Sequence, residues 1–167
     1  PAAKRSLGTR LDLPWPVWVV GTWDASGKAI FTPVPMTGLA GDRPPIVSIS
    51  LKTDSPAAKA IIEKKAFTVN VPFDREPLPA GADHKALWDC PLTPLKGGFV
   101  DAPLAIEAML CLECRLLRFV IIEGNTVFFG TVEDVKADES LVKSDGLLSL
   151  KDLRPYLAPP GAFSNYK

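Results

Sequence analysis

The chain has 167 residues and a mass of 18.0 kDa, about the size of one domain. A hydrophobic share of 47% with 23% charged residues excludes intrinsic disorder, and 19 basic side chains balance 19 acidic ones, leaving no net field to draw in nucleic acid or an anionic membrane. The longest apolar run near the start, Pro14 to Val20, is too short to span a bilayer and lacks the flanks of a signal peptide. A single soluble, cytoplasmic domain over residues 1–167 is therefore expected, with no nucleic-acid or membrane partner.

Seventeen prolines and 12 glycines break the sequence often, so its elements must be short. Residues Pro16 to Trp23 are β-branched and aromatic and run into Asp24-Ala-Ser-Gly27, a hairpin loop before a second strand from Lys28 to Thr32. Pro44-Pro45 stops the chain, and Ile46 to Leu51 follows as a strand with Ser48 and Ser50 on one face and Ile49 and Leu51 on the other. Ser55-Pro56 opens the clearest helix, Ala57 to Lys65: Ser is a favoured cap, Pro fits the first helical position, and Lys64 and Lys65 complement the C-terminal dipole. Phe67 to Val71 returns as a strand. A proline-rich stretch then runs to Pro103, long enough that a binding or covering role is expected of it. A strand from Ala105 to about Glu123 turns at Gly124-Asn125 and returns through Thr126 to Val135, before a second proline-rich segment from Gly146 to Lys167. Six strands and one helix favour a closed or partly open antiparallel barrel over an α/β layer fold.

The chemistry-bearing residues are few. There is no Walker sequence, no G-x-G-x-x-G and no G-x-S-x-G. The single histidine, His84, lies in the proline-rich stretch beside Asp83, where a solvated loop position is the simpler reading. Cys111 and Cys114 have C-x-x-C spacing, but they alternate within a strand and so point to opposite faces. With no second cysteine pair they are expected to be one core and one surface thiol and not metal ligands; Cys90 has no assigned role. One constellation suggests a ligand. Ser48, Ser50, Lys52, Thr53 and Ser55 lead from a strand into a helix N-terminus, where free N–H groups and the dipole favour an anion such as phosphate. The plainer alternative is that Ser55 only caps the helix while Ser48 and Ser50 face water on an edge strand.

Several blocks taken in order resemble the flavin reductase-like, FMN-binding split-barrel family, its flavoredoxin branch above all. They are Lys4 to Gly8, Leu13 to Val17, Asp24 to Gly27, Arg43 to Leu51, Ala66 to Pro72, Asp83 to Lys85, Leu92 to Pro94, Val100 to Pro103, Leu112 to Arg115, Phe129 to Val132 and Leu153 to Tyr156 with Tyr166. The resemblance covers nearly the whole chain. It implies a six-stranded antiparallel Greek-key barrel with one principal helix, a homodimer with FMN near the subunit interface, and electron transfer through the flavin. In this likeness Thr32, Pro33, Val34, Pro35, Met36 and Thr37 form the turn against the ring and ribityl chain. Ser48, Ser50, Leu51, Lys52 and Ser55 form the phosphate side, and Lys85 is the candidate catalytic cation beside the ring.

Two departures from the family pattern stand out. Gly124-Asn125-Thr126 replaces a block that elsewhere carries a histidine near the nicotinamide, and Met36-Thr37 replaces a Ser-aromatic pair. The electron donor implied is thus NAD(P)H bound transiently over the flavin or, alternatively, a redox protein. A non-enzymatic split barrel acting as a ligand-binding or interaction module is the reading from another class. With that likeness the loop from Phe73 to Phe99 is expected to cover the pocket, with Trp88 shielding the ring; the alternative from the residues alone is that Trp88 anchors the loop to the barrel wall. The apolar residues Leu116, Leu117 and Phe119 to Ile122, with Phe128 and Phe129 opposite, are expected to need a second copy as cover, the alternative being that the segment from Gly146 folds over them.

Overall fold

The structure, a computed structural model, describes residues 4–6, 15–74, 92–149, 154–155 and 157–158. The strands in chain order are β1 (Trp15–Pro16), β2 (Trp18–Trp23), β3 (Ala29–Val34), β4 (Thr37–Asp42) and β5 (Pro45–Lys52). After helix α1 (Pro56–Lys64) come β6 (Ala66–Val71), β7 (Phe73–Asp74), β8 (Pro94–Lys96), β9 (Pro103–Ala105), β10 (Leu110–Ile122), β11 (Asn125–Ala137), β12 (Arg154–Pro155) and β13 (Leu157–Ala158). The fold is mainly β and antiparallel, as expected.

Seven strands form the principal sheet in the order β3-β2-β6-β10-β11-β5-β4. All six predicted strands are in it. The seventh, β4, comes from residues to which the sequence assigned no strand; Gly38, Gly41 and Asp42 carry little strand propensity, and pairing with β5 supplies what propensity does not. Because β4 flanks β5, Ser48 and Ser50 lie on an interior strand and not on an edge. The two end strands, β3 and β4, are consecutive in the chain and separated by Pro35 and Met36 alone. Three Cα steps reach at most about 11 Å, so the sheet must curl until its edges nearly meet. The Ser50 N–H donates to the Met36 carbonyl at 3.0 Å and fastens the link against β5.

The inward face holds one core, including Val20, Val47, Ile49, Ile61, Phe67, Val69, Cys114 and Phe128. Helix α1 closes one end. Ser55 caps it by accepting the Ala58 N–H at 3.2 Å, Lys65 ends it in the left-handed conformation, and Ala57, Ala58, Ala60 and Ile61 face inward. Full burial of Ile61 alone contributes about 1.5–3 kcal/mol. The small alanines let the helix axis lie close to the barrel. Among the described residues no helix is long and apolar enough to cross a membrane.

The outer face of β6 and β10 is polar yet buried. Register pairs Thr68 with Glu113 and Asn70 with Cys111, and all four are covered by the segment from Thr93 to Ala108. Asn70 donates to the Val19 carbonyl at 3.0 Å and accepts the Ala105 N–H at 2.9 Å, while the Thr68 hydroxyl donates to the Pro103 carbonyl. The Glu113 carboxylate accepts N–H groups of Gly98 at 3.2 Å, Phe99 at 2.7 Å and Val100 at 3.0 Å. This cover corrects the reading of the C-x-x-C pair. The thiols do point to opposite faces, but neither reaches the surface, since Cys114 is in the barrel core and Cys111 lies under the covering segment.

The same packing revises the expected pocket cover from Phe73 to Phe99. Its last part, residues 92–99, belongs to the β8–β9 hairpin region on the β6–β10 face, held there by Glu113. Residues 75–91, with His84, Lys85, Trp88 and Cys90, lie outside the described residues.

Candidate functional site

A cavity of about 220 Å³ opens between the edge strand β3 with its two-residue link and the segment from β5 to the start of α1. Thr32 and Pro33 of β3 and Pro35 and Met36 of the link form one wall; Ser50, Leu51 and Lys52 of β5, Ser55 at the helix cap and Asn125 at the start of β11 form the rest. Pro33 and Pro35 suit this place because a strand edge can spare the N–H that proline lacks. Alternation along β5 turns Ser50 and Lys52 away from the core, while Ile49 is buried inward. The site has two characters. Prolines, Met36 and Leu51 give an apolar side, and Ser50, Lys52, Ser55 and Asn125 give a polar side with one cation.

The backbone around the helix start offers an anion less than the sequence pattern promises. Pro56 has no N–H, the Ala58 N–H is taken by the Ser55 hydroxyl oxygen, and the Lys59 N–H by the Ser55 carbonyl at 3.2 Å. In the preceding loop the Ser55 N–H donates to Lys52 and the Thr53 N–H to Gly124, each at 3.0 Å. The Ala57 N–H is the one amide of the first helical turn with no partner among the described contacts, and beside it stand the exposed Lys52 and the Ser50 and Ser55 hydroxyls. Ser55 accepts in its capping bond and so keeps its own proton to donate.

Eight of the expected residues meet at the cavity: Thr32, Pro33, Pro35, Met36, Ser50, Leu51, Lys52 and Ser55. Four described ones do not line it, among them Thr53, whose hydroxyl bonds that of Thr126 at 2.9 Å. Val34 is 1% exposed and packs in the core; Thr37 has a buried hydroxyl without a hydrogen-bond partner; Ser48 donates to the Gly38 carbonyl at 3.3 Å. Lys85 and Trp88 lie outside the described residues. Asn125 was missed as a site residue. The turn at 123–124 fixes its place in the β10–β11 hairpin, but only the long-range pairing of β11 with β5 puts it opposite Lys52, which no local pattern signals.

The outer sheet face beside the cavity is apolar. Register places Val120 and Ile122 of β10 beside Val127 and Asn125 of β11, and these beside Ser50 and Lys52 of β5. Val120 is 45% exposed and Ile122 54%.

The strongest electrostatic cluster lies elsewhere. Burial pushes the Glu113 carboxyl upward, but hydrogen bonds from Lys136 and from the amides of Phe99, Val100 and Gly98 outweigh it and leave the acid below its ordinary range. Lys136 is raised, first by its bond to Asp134 and then by Glu113, 2.7 Å away. Its ammonium also sits 5.0 Å from the Phe99 ring centre. Among the described residues no three His, Cys, Asp or Glu side chains stand close enough to hold a metal.

Residues 10–156 match the model of the flavin reductase like domain. The chain belongs to the flavin reductase-like family. Flavoredoxin of Desulfovibrio vulgaris (Miyazaki F) superposes with a TM-score of 0.79 at 28% identity, covering 99% of this chain and all of that one. Flavoredoxin from Methanosarcina acetivorans gives 0.73 at 23% identity over 93% of this chain and 86% of its own. The Pseudomonas fluorescens 2-nitrobenzoate 2-nitroreductase gives 0.76 at 21% identity over 92% and 81%. The last two likenesses are of fold alone. As a flavin reductase-like domain, the chain places its amphiphilic cavity at the seam of a split barrel.

Proposed function

We propose that the chain is an FMN-dependent oxidoreductase of the flavin reductase and flavoredoxin type, acting as a homodimer. The observation that carries the reading is the two-sided cavity. A flavin mononucleotide has a flat apolar ring at one end and a phosphate at the other, and the cavity offers Pro33, Pro35, Met36 and Leu51 on one side and Ser50, Lys52 and Ser55 on the other. The donor set thus fits the group.

Bound flavin supplies hydride or single-electron chemistry that no side chain here can perform. The protein's part is to bind and orient. Lys52 and the two hydroxyls hold the anionic end through charge-assisted hydrogen bonds. The turn from Thr32 to Met36 supports one side of the ring, and Thr32 brings a hydroxyl to that turn. The reading requires an electron donor that reaches the ring. That donor is NAD(P)H bound transiently or a redox protein. The exposed stripe of Val120 and Ile122, running up to the cavity, favours a second copy of the chain as its cover.

The test is reconstitution. Purified chain mixed with FMN should retain a flavin absorption band through gel filtration and sediment as a dimer at micromolar concentration. A colourless product refutes the flavin reading and favours a non-enzymatic module; a coloured monomer refutes the dimer alone. Steady-state oxidation of NADH or NADPH by the coloured protein separates a reductase from a carrier that accepts electrons from a protein donor.

A further inference from the structure

One wall of the cavity comes from neither the β3–β4 link nor the β5–α1 segment: the tip of the β10–β11 hairpin. Glu123 and Gly124 both have positive φ, 45° and 77°, forming the two-residue turn whose twist suits a hairpin. This tip is fastened in place. The Gly124 carbonyl accepts the Thr53 N–H at 3.0 Å, and the Thr53 and Thr126 hydroxyls bond at 2.9 Å, with Thr126 fully buried. Asn125 is thereby held opposite Lys52 in the β11–β5 ladder. Side chains so paired share a face, with Cβ atoms about 4.5–5.5 Å apart. The amide of Asn125 has little else to do: among the described contacts it makes one long hydrogen bond, from Nδ2 to the Glu123 carbonyl at 3.5 Å.

We infer that Asn125 contacts the phosphate of the bound nucleotide and makes the polar end of the cavity selective for an anion, an inference that rests on the FMN reading above. The amide donates N–H to a phosphate oxygen and adds no charge. Lys52 is therefore left free to neutralise the ligand. A carboxylate in the same position would repel the phosphate and draw the Lys52 ammonium to itself. The hairpin tip is thus part of the ligand site, and its attachment through Thr53 and Thr126 sets the distance between Asn125 and Lys52.

Riboflavin and FMN share the ring and ribityl chain and differ by the phosphate, so titration of the full chain with each, followed by flavin fluorescence, isolates the contact. Asn125→Asp should weaken FMN at least about tenfold through like-charge repulsion while riboflavin changes less than about twofold, and the FMN loss should shrink as salt is raised. Asn125→Leu, similar in size and uncharged, is the second variant. It should weaken FMN about three- to tenfold for the lost charge-assisted bond, again sparing riboflavin. Wild-type chain that binds neither ligand overturns the FMN reading and this inference together. Wild-type chain that binds FMN, with both variants leaving FMN unchanged or weakening the two ligands alike, overturns the assignment of Asn125 alone.

Discussion

Replacing Glu113 should show how the outer segment is held to the barrel. The side chain is fully buried, and its two oxygens accept three backbone N–H groups and the Lys136 ammonium. In Glu113→Ala the amides of Gly98 and Phe99 regain water, because those residues are exposed, whereas the Val100 amide is buried and stays unpaired. One orphaned amide costs about 1–3 kcal/mol, and removing one partner of a buried ion pair about 3–5 kcal/mol. Lys136 is 39% exposed and can rehydrate, so the lower part of that range applies, about 3 kcal/mol in all. For a domain of this size that is a Tm about 6–12 °C lower. Lys136→Met keeps the three amide bonds but takes the counter-charge from a fully buried carboxylate, so it should also destabilise, by about 1–3 kcal/mol. Urea unfolding of both variants, with hydrogen exchange at the amides of residues 98–100, measures this directly. The reasoning fails if Glu113→Ala leaves stability unchanged, or if exchange at Val100 is no faster without the carboxylate.

The same carboxylate predicts a pH dependence. Its acid lies below the ordinary 4.5 in the fold, so its stabilisation is complete above that value and is lost as pH falls through the lower folded value; Glu113→Gln should flatten the acid limb of a stability profile. Lys52→Ala should weaken FMN about tenfold and leave riboflavin unchanged, as paired titrations would show, since its charge acts on the phosphate. Gly130→Ala should cost about 1–3 kcal/mol in urea unfolding, because a Cβ there would sit 2.5 Å from the ring of fully buried Phe67, whereas Gly98→Ala meets its nearest atom at 3.8 Å and should be tolerated. In a Cys90→Ser background, thiol labelling at pH 8 should be slow until the chain unfolds: burial pushes Cys111 up to about 11 and Cys114 higher still.

Local pattern made part of this molecule readable. Alternation marked β2, β5, β6 and the long hairpin, and the Ser55-Pro56 cap with its lysine-rich end marked α1. The cavity-lining residues that adjoin one another, Ser50, Lys52 and Ser55, were legible as neighbours for the same reason. What stayed hidden depends on segments far apart in the chain. Glu107 and Glu113 look alike in an alternating run, yet Glu107 is exposed and Glu113 is sealed by a loop that periodicity cannot bring near. Ser48 has the right phase on β5, but strand β4, with its weak propensity, takes up its hydroxyl. Asn125 joins the site only through register with a strand far back in sequence.

Because the cavity lies between the edge strand β3 with its link and strand β5, any occupant that touches both Pro33 and Ser50 acts as a clasp. It can engage both walls only while the sheet is curled, so its binding free energy is added to the cost of uncurling. At a free concentration 100 times its Kd this amounts to about 2.7 kcal/mol. Occupancy should then resist separation of the end strands more than fraying at the far hairpin of β8 and β9. The link of Pro35 and Met36 is short enough that inserting even a few residues there would let the edges part without tearing a single ladder bond. The ligand would lose a wall while the sheet kept its pairing, which makes this two-residue span the point where fold and binding can be separated.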